Sequence, residues 1–319
     1  MRSFSAAANR GICLTGPTGC GKTEFALELA AEFPLEIVSM DSAMVYRGLD
    51  IGTAKPSAEV RRRHPHHLID IREPEVAYSA GEFRADAAAL FAAIRERGKW
   101  PLVVGGTLLY LRALRDGLAD LPTRDAEVRA AIDKEAEEHG WDALHARLSA
   151  VDPETAARID PRDRQRVQRA LEVYAISGRP LGGLLREHAR SAQDSFELVT
   201  FALVPDDRAA LAQRLEQRFD AMVDAGLVDE VRYLRKRPRL RGEDASMRCV
   251  GYRQIWAHLE GEYDWPEARR RAVSATRQLA KRQLTWLRSE RDFEALPATG
   301  ARAGAQLAAR VRASLARWA

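Results

Sequence analysis

Gly16-Pro17-Thr18-Gly19-Cys20-Gly21-Lys22-Thr23 decides how this chain is read. The octet fits the spacing G-x-x-x-x-G-K-[ST]. It follows a short apolar run, Ile12-Cys13-Leu14, and precedes a stretch in which Ala26, Leu29, Ala30 and Phe33 share one helical face. Strand, loop and helix in that order are the context the motif needs. A helix N-terminus aims unpaired N–H groups and a partial positive charge at the loop, and glycines let an anion approach the backbone. The motif therefore signals diphosphate binding, with Lys22 neutralising a terminal phosphate and the Thr23 hydroxyl helping to hold Mg²⁺. A glycine-rich turn before an ordinary helix would leave the adjacent Lys-Thr pair unexplained. The loop alone leaves open whether the diphosphate belongs to a nucleotide or to another compound.

Outward from the loop, the apolar run from Leu35 ends in Met40-Asp41-Ser42. Ligands of open parallel sheets sit beyond the carboxyl ends of the strands, so Asp41 is expected at the same rim as the loop. A carboxylate there is a Mg²⁺ ligand or a general base, and its bland alternative is a cap on the following turn. Ile51 to Pro56 is a small-residue loop in which Lys55 is expected to add positive charge near the site. His64, His66 and His67 cluster, but neighbouring histidines rarely converge on one ion and no Cys or carboxylate stands at a matching spacing, which favours a structural role. Ser79-x-x-Glu82 is a capping box opening a helix with the stripe Phe83, Ala87, Leu90, Phe91 and Ile94. Pro101 to Val104 is the next buried strand, and the Gly105-Gly106 turn after it brings Thr107 to the pocket of Asp41.

Near Leu118 the texture changes. Arg124 to Leu148 is a charged, Ala-rich helical stretch, and Asp163 to Ser177 is another, with Val167, Ala170, Leu171 and Tyr174 on its apolar side. Its other sides carry Arg164, Gln165, Arg166, Gln168 and Arg169, groups that suit phosphates and base edges or simply water. Strand texture returns at Phe196 to Val204, and Asp206 or Asp207 then caps a long helix running towards Arg237. The fold class is α/β: a P-loop NTPase-like parallel sheet flanked by helices, formed by residues 1–117 and 196–319, with a helical insertion domain over 118–195. Arg248 to Arg253 combines arginines, a glycine and the Tyr252 ring, a set suited to stacking bases and holding phosphates. On the helix beginning near Pro266, Arg270, Arg277, Lys281 and Arg288 fall within roughly 40° of one another, while Ala272, Leu279 and Trp286 line another side. Ala301 to Trp318 is expected to be a packing helix.

At 319 residues, 46% of them hydrophobic, the chain has room for about two domains. Three scattered cysteines offer neither a disulfide framework nor a zinc site, which fits a reducing cytoplasm. No run of eighteen apolar residues exists, and Met1 to Arg10 lacks the apolar core of a secretory leader and is expected to fray. The net charge of +4 is unevenly spread: residues 266–319 carry twelve Arg or Lys against four Asp or Glu, and residues 161–190 seven against three. Two basic regions on an otherwise acidic chain point to a polyanionic partner such as nucleic acid.

The phosphate loop, Asp41 to Arg47, Asp50 to Pro56, Gly105 to Tyr110, Gln165 to Glu172, Arg248 to Arg253 and Lys281 to Arg288 together resemble the tRNA dimethylallyltransferase (tRNA isopentenyltransferase) family. The resemblance runs in family order over nearly the whole chain, leaving out the first ten residues and the tail beyond about Arg291. It implies a cytoplasmic, monomeric enzyme, with no membrane partner, that carries a dimethylallyl group from dimethylallyl diphosphate to N6 of adenine 37. The acceptors are tRNAs reading codons that start with U, met at the anticodon stem-loop. By motif, Gly16, Pro17, Thr18, Gly19, Cys20, Gly21, Lys22 and Thr23, with Arg218, would hold the diphosphate, with Mg²⁺ at Thr23. Asp41 would be the general base, with Lys22 and Thr107 also catalytic, and Asp41, Ser42, Ala43 and Met44 would meet the target nucleotide. Arg129, Gln165, Arg166, Val167, Gln168 and Arg169 would hold RNA. So would Arg248, Cys249, Val250, Gly251, Tyr252 and Arg253, and further on Lys281, Arg282, Gln283, Leu284, Thr285, Trp286, Leu287 and Arg288. Met44 stands where many members carry Gln, so no amide bond to RNA is expected there. The alternative sharing the loop is a P-loop nucleotide kinase or ATPase, one that binds ATP and acts on RNA or nucleosides.

Overall fold

A computed structural model describes residues 9–191, 195–290, 292–299 and 303–318. The expected fraying of the first ten residues concerns mainly residues 1–8, which lie outside the described residues. In order the elements are β1 (Arg10–Thr15), α1 (Lys22–Glu32), β2 (Leu35–Ser39), α2 (Ala58–Arg63), β3 (His66–His67), α3 (Ala80–Glu96), β4 (Trp100–Gly105), α4 (Leu108–Arg115), α5 (Ala126–His139), α6 (Trp141–Val151), α7 (Pro153–Ala156), α8 (Arg164–Ser177), α9 (Leu181–Ser191), β5 (Glu197–Val204), α10 (Arg208–Asp224), α11 (Leu227–Arg235), α12 (Tyr252–Leu259), α13 (Trp265–Ser289), β6 (Glu294–Pro297) and α14 (Ala303–Trp318). They form two compact units, Met1–Arg115 with Phe196–Ala319, and Asp116–Ser195.

In the first unit six strands run in the order β3-β2-β4-β1-β5-β6, every pairing parallel. Leu14 of β1 lies between Val104 of β4 and Phe201 of β5. Alternate residues bury opposite faces: Ile12, Leu14, Ile37, Leu102 and Phe201 pack with α1 and with Leu307 and Val311 of α14, while Cys13, Val38 and Val103 pack with Phe83, Phe91 and Ile94 of α3. Burial on both faces is why these strands read as continuous apolar runs. The Ser79–Glu82 capping box forms as the sequence suggests. Asp207 caps α10, but the helix does not continue to Arg237; Gly226, at φ 100°, separates it from α11. Strands β3 and β6, two and four residues long, are too short to announce themselves in sequence. His67 Nε2 lies 2.8 Å from Glu36 Oε2, and His66 Nδ1 lies 2.7 Å from the His64 carbonyl oxygen. No group of three or more His, Cys, Asp or Glu among the described residues is placed to hold a metal ion.

The second unit packs α5, α6 and α8 around Ile132, Ala136, Leu144, Leu148, Val167 and Leu171. The helical stretch expected over Arg124 to Leu148 forms two helices, parted at Gly140. Glu172 is fully buried, accepting from Asp125 N–H at 3.0 Å and from Arg169 at 2.7 Å. No helix among the described residues is long and apolar enough to cross a membrane.

Candidate active site

The phosphate loop joins β1 to α1. Helices α3, α5, α8, α10 and α13 are each closed by a side chain (Ser79, Asp125, Asp163, Asp207, Asp264) that accepts a first-turn N–H. Helix α1 begins instead at Gly21, in left-handed backbone at φ 83°, with no side-chain cap. Glycine is what permits that backbone, and leaving the end uncapped keeps first-turn N–H groups available to an anion. Lys22 Nζ meanwhile donates to the carbonyls of Gly16 at 3.0 Å and Pro17 at 2.7 Å.

Asp41 follows β2. Its Oδ1 accepts from the N–H groups of Ala43 at 2.8 Å and Met44 at 3.4 Å, while Oδ2 takes no hydrogen bond from the described residues. The carboxylate thus caps the turn and still keeps one oxygen for other work. Thr107, after β4, accepts from Ser42 N–H at 3.1 Å. Asp41, Thr107, Lys22 and Thr23 all line one cleft of about 920 Å³. Arg218 of α10 lines it too, half-buried and without a hydrogen bond or ion pair to the described residues. Burial lowers the pKa of its guanidinium, and the charge of Asp41 opposes that shift. A desolvated cation that stays charged at neutral pH favours an anion in the cleft. Burial first, and then the charge of Asp41, push the Cys249 thiol up to about 12, so this cleft-lining sulfur is a neutral thiol rather than a nucleophile.

Of the other residues singled out by sequence, Thr18, Gly19, Gly21, Ser42, Ala43 and Met44 line the cleft, as do Arg248, Val250, Gly251, Arg282 and Gln283. Gly16 and Pro17 support Lys22, and Cys20 is buried behind the loop. Arg253 is exposed on α12. Several expectations need correcting. The Tyr252 ring is fully buried and its hydroxyl donates to Glu230, so it cannot stack a base. Lys55 adds no charge to the cleft, because its side chain is buried with Nζ 2.8 Å from Asp50 and 2.6 Å from Asp70. Leu284 and Leu287 are core residues, and Trp286 is covered by the Arg112 guanidinium, 4.4 Å from its ring centroid. Lys281, Thr285 and Arg288 line a separate groove of about 240 Å³. Half the expected basic stripe is neutralised, since Arg270 pairs with Glu267 and Arg277 with Glu216.

In the second unit Val167 is buried, and Gln168 is held between Arg129 and Asp133. Arg169 is bound to Glu172 and the Pro122 carbonyl. Only Gln165 and Arg166 of that segment are exposed. Sequence reasoning passed over Arg214, which lies one turn before Arg218, lines the cleft and donates to the Gly19 carbonyl at 3.2 Å. Its signal was there: two arginines four apart on one helix share a face.

Fold and cleft define a phosphate-loop α/β protein that brings an anion seat and a carboxylate into one cavity. The IPP transferase family model matches residues 44–290. The chain belongs to the IPP transferase family. A tRNA dimethylallyltransferase of Ralstonia pickettii is 56% identical over 294 residues, 91% of this chain and 90% of that one. The enzyme of the same name from Bordetella pertussis is 55% identical over 280 residues, covering 88% and 90%. Among solved structures, the full-length tRNA isopentenylpyrophosphate transferase of Bacillus halodurans is similar at TM-score 0.70 and 33% identity, covering 97% of this chain and 98% of that one. A eukaryotic dimethylallyltransferase acting on tRNA matches at TM-score 0.73 and 26% identity, covering 91% and 74%. These relatives do not favour the phosphoryl-transfer alternative.

Proposed function

We propose that this protein, a monomer of the cytoplasm, transfers the dimethylallyl group of dimethylallyl diphosphate to N6 of adenine 37 in the anticodon loop of tRNAs reading codons that start with U. The observation that carries this reading is the free Oδ2 of Asp41, which shares one cleft with the uncapped start of α1. The adenine N6 lone pair is delocalised into the ring and makes a poor nucleophile, so a carboxylate that accepts its proton assists the bond. As N6 bonds to the allylic C1, the C1–O bond breaks, diphosphate leaves and the N6 proton passes to Asp41. Charge growing on the leaving group is met by Lys22, Arg218 and the N–H groups at the start of α1.

Mg²⁺ fits the same seat. The Thr23 hydroxyl at the start of α1 would hold it, and no group of three or more His, Cys, Asp or Glu among the described residues forms a cage for it, which suits Mg²⁺ bound mainly through substrate phosphates. When bound, it supplies further charge neutralisation of the diphosphate. The acceptor base must leave its stack, and an anticodon loop is already single-stranded.

The test is incubation of the protein with tRNA, dimethylallyl diphosphate and Mg²⁺, followed by mass analysis of the nucleosides. N6-(dimethylallyl)adenosine is the expected product. Its absence, with ATP-dependent phosphate release in its place, would overturn the reading.

A further inference from the structure

One side chain ties the phosphate loop to α13. The Oε1 of Gln283 accepts from Thr18 N–H at 2.9 Å, and its Nε2 donates to the Gly106 carbonyl, also at 2.9 Å. A loop amide is thereby held by a residue 265 positions away, and the turn after β4 is held by the other end of the same planar group. Acceptor faces donor on one side and donor faces acceptor on the other, so only one orientation of the amide satisfies both partners. Glycine at 106 leaves room for this arrangement, because a Cβ there would stand 2.4 Å from Gln283 Nε2 and push the amide aside. The neighbouring Arg282 is exposed and turned to the cleft, whereas the polar atoms of Gln283 are engaged within the protein.

We infer that Gln283 is a positioning residue for the diphosphate and not an RNA contact. It holds Thr18 and so preforms a loop whose glycines at 16, 19 and 21 all take positive φ. Such a loop has much conformational freedom to lose. Without the amide, the arriving anion would have to order the loop itself, and its affinity would fall by that amount. The identity of the substrate rests on the function proposed above; the hold on the loop does not.

The experiment compares wild type with Gln283→Met, which keeps the length and loses both hydrogen bonds, and with Gln283→Glu. The glutamate retains the acceptor for Thr18 N–H but sets a carboxylate against the Gly106 carbonyl. Each protein is titrated with inorganic diphosphate and Mg²⁺, and separately with tRNA, and its thermal midpoint is recorded. Gln283→Met should weaken diphosphate binding about tenfold, the scale of two lost hydrogen bonds, and raise the KM for dimethylallyl diphosphate to match. Affinity for tRNA should stay within about twofold and the midpoint within a few degrees, while Gln283→Glu, which adds a negative charge beside the anion seat, should weaken diphosphate binding at least as far as Gln283→Met. Loss of tRNA affinity with diphosphate binding unchanged would overturn the inference. So would a parallel fall of both affinities and the midpoint in the two variants, which would mark a packing role. If wild type makes no prenylated adenosine yet diphosphate binding still depends on residue 283, the proposed function fails and the positioning role stands.

Discussion

Asp41 divides its labour between its two oxygens. Asparagine keeps an oxygen to accept from Ala43 and Met44, so Asp41→Asn preserves the turn while removing the proton acceptor. Single-turnover formation of prenylated adenosine should slow by roughly 10²- to 10⁴-fold, with tRNA affinity within about threefold; an unchanged rate would remove Asp41 from the chemistry. The positions of Lys22, Thr23, Asp41 and Thr107 were legible in the sequence because each stands just past a strand of one parallel sheet, and topology brings such residues to one rim. Tyr252 and Lys55 were not. A tyrosine or lysine in a mixed stretch can face water or the interior, and what decided it here were partners remote in sequence, Glu230 for one and Asp70 for the other. The partners of Gln283 are hidden for a related reason: a motif gives the neighbours in sequence, while Thr18 and Gly106 belong to other elements.

Two carboxylates hold elements together away from the chemistry. Glu36 on β2 gathers Arg97 at the end of α3, His67 on β3 and Lys99 before β4. Arg97 above all, with smaller help from His67 and Lys99, lowers its pKa from 4.5 to about 2. A lowered folded-state value stabilises the protein wherever the unfolded chain's carboxyl is ionised, above about 4.5, and that gain disappears as the pH falls towards 2. Glu36→Gln should therefore cost up to about 3 kcal/mol at neutral pH and flatten the fall of the thermal midpoint between pH 5 and 2. A wild-type acid profile in the variant would contradict this. Glu230 on α11 accepts from the N–H groups of Asp50, Ile51 and Gly52 and from the Tyr252 hydroxyl. Glu230→Ala strands four donors, and denaturant unfolding should show a loss of about 2–3 kcal/mol, against about 1 for Tyr252→Phe. Equal losses would mean the backbone bonds contribute nothing. The elements themselves were largely readable from apolar period and caps. The breaks at Gly140 and Gly226 were hidden, because helical patterning continues through both and only the tertiary course of the chain shows the turn.

At the scale of the molecule, the first unit is interrupted at a point where its ends meet: Phe196 N–H donates to the Leu114 carbonyl at 3.2 Å. Replacing residues 116–195 with a short Gly/Ser linker should leave a folded protein that binds diphosphate and Mg²⁺ like wild type. Its tRNA affinity should fall at least tenfold, with a shallower dependence on salt, since exposed arginines such as Arg166 leave with the insert. Undiminished tRNA binding would place recognition elsewhere. The interrupted order also bears on how the protein is made. Strand β1 leaves the ribosome well before β5, which covers one of its long sides and is translated only after the whole insert. At ordinary elongation rates that delay is roughly ten to forty seconds, during which Ile12 to Leu14 offer a bare, sticky edge to neighbouring nascent chains. In that interval the unpaired strand is what a chaperone would have to shield.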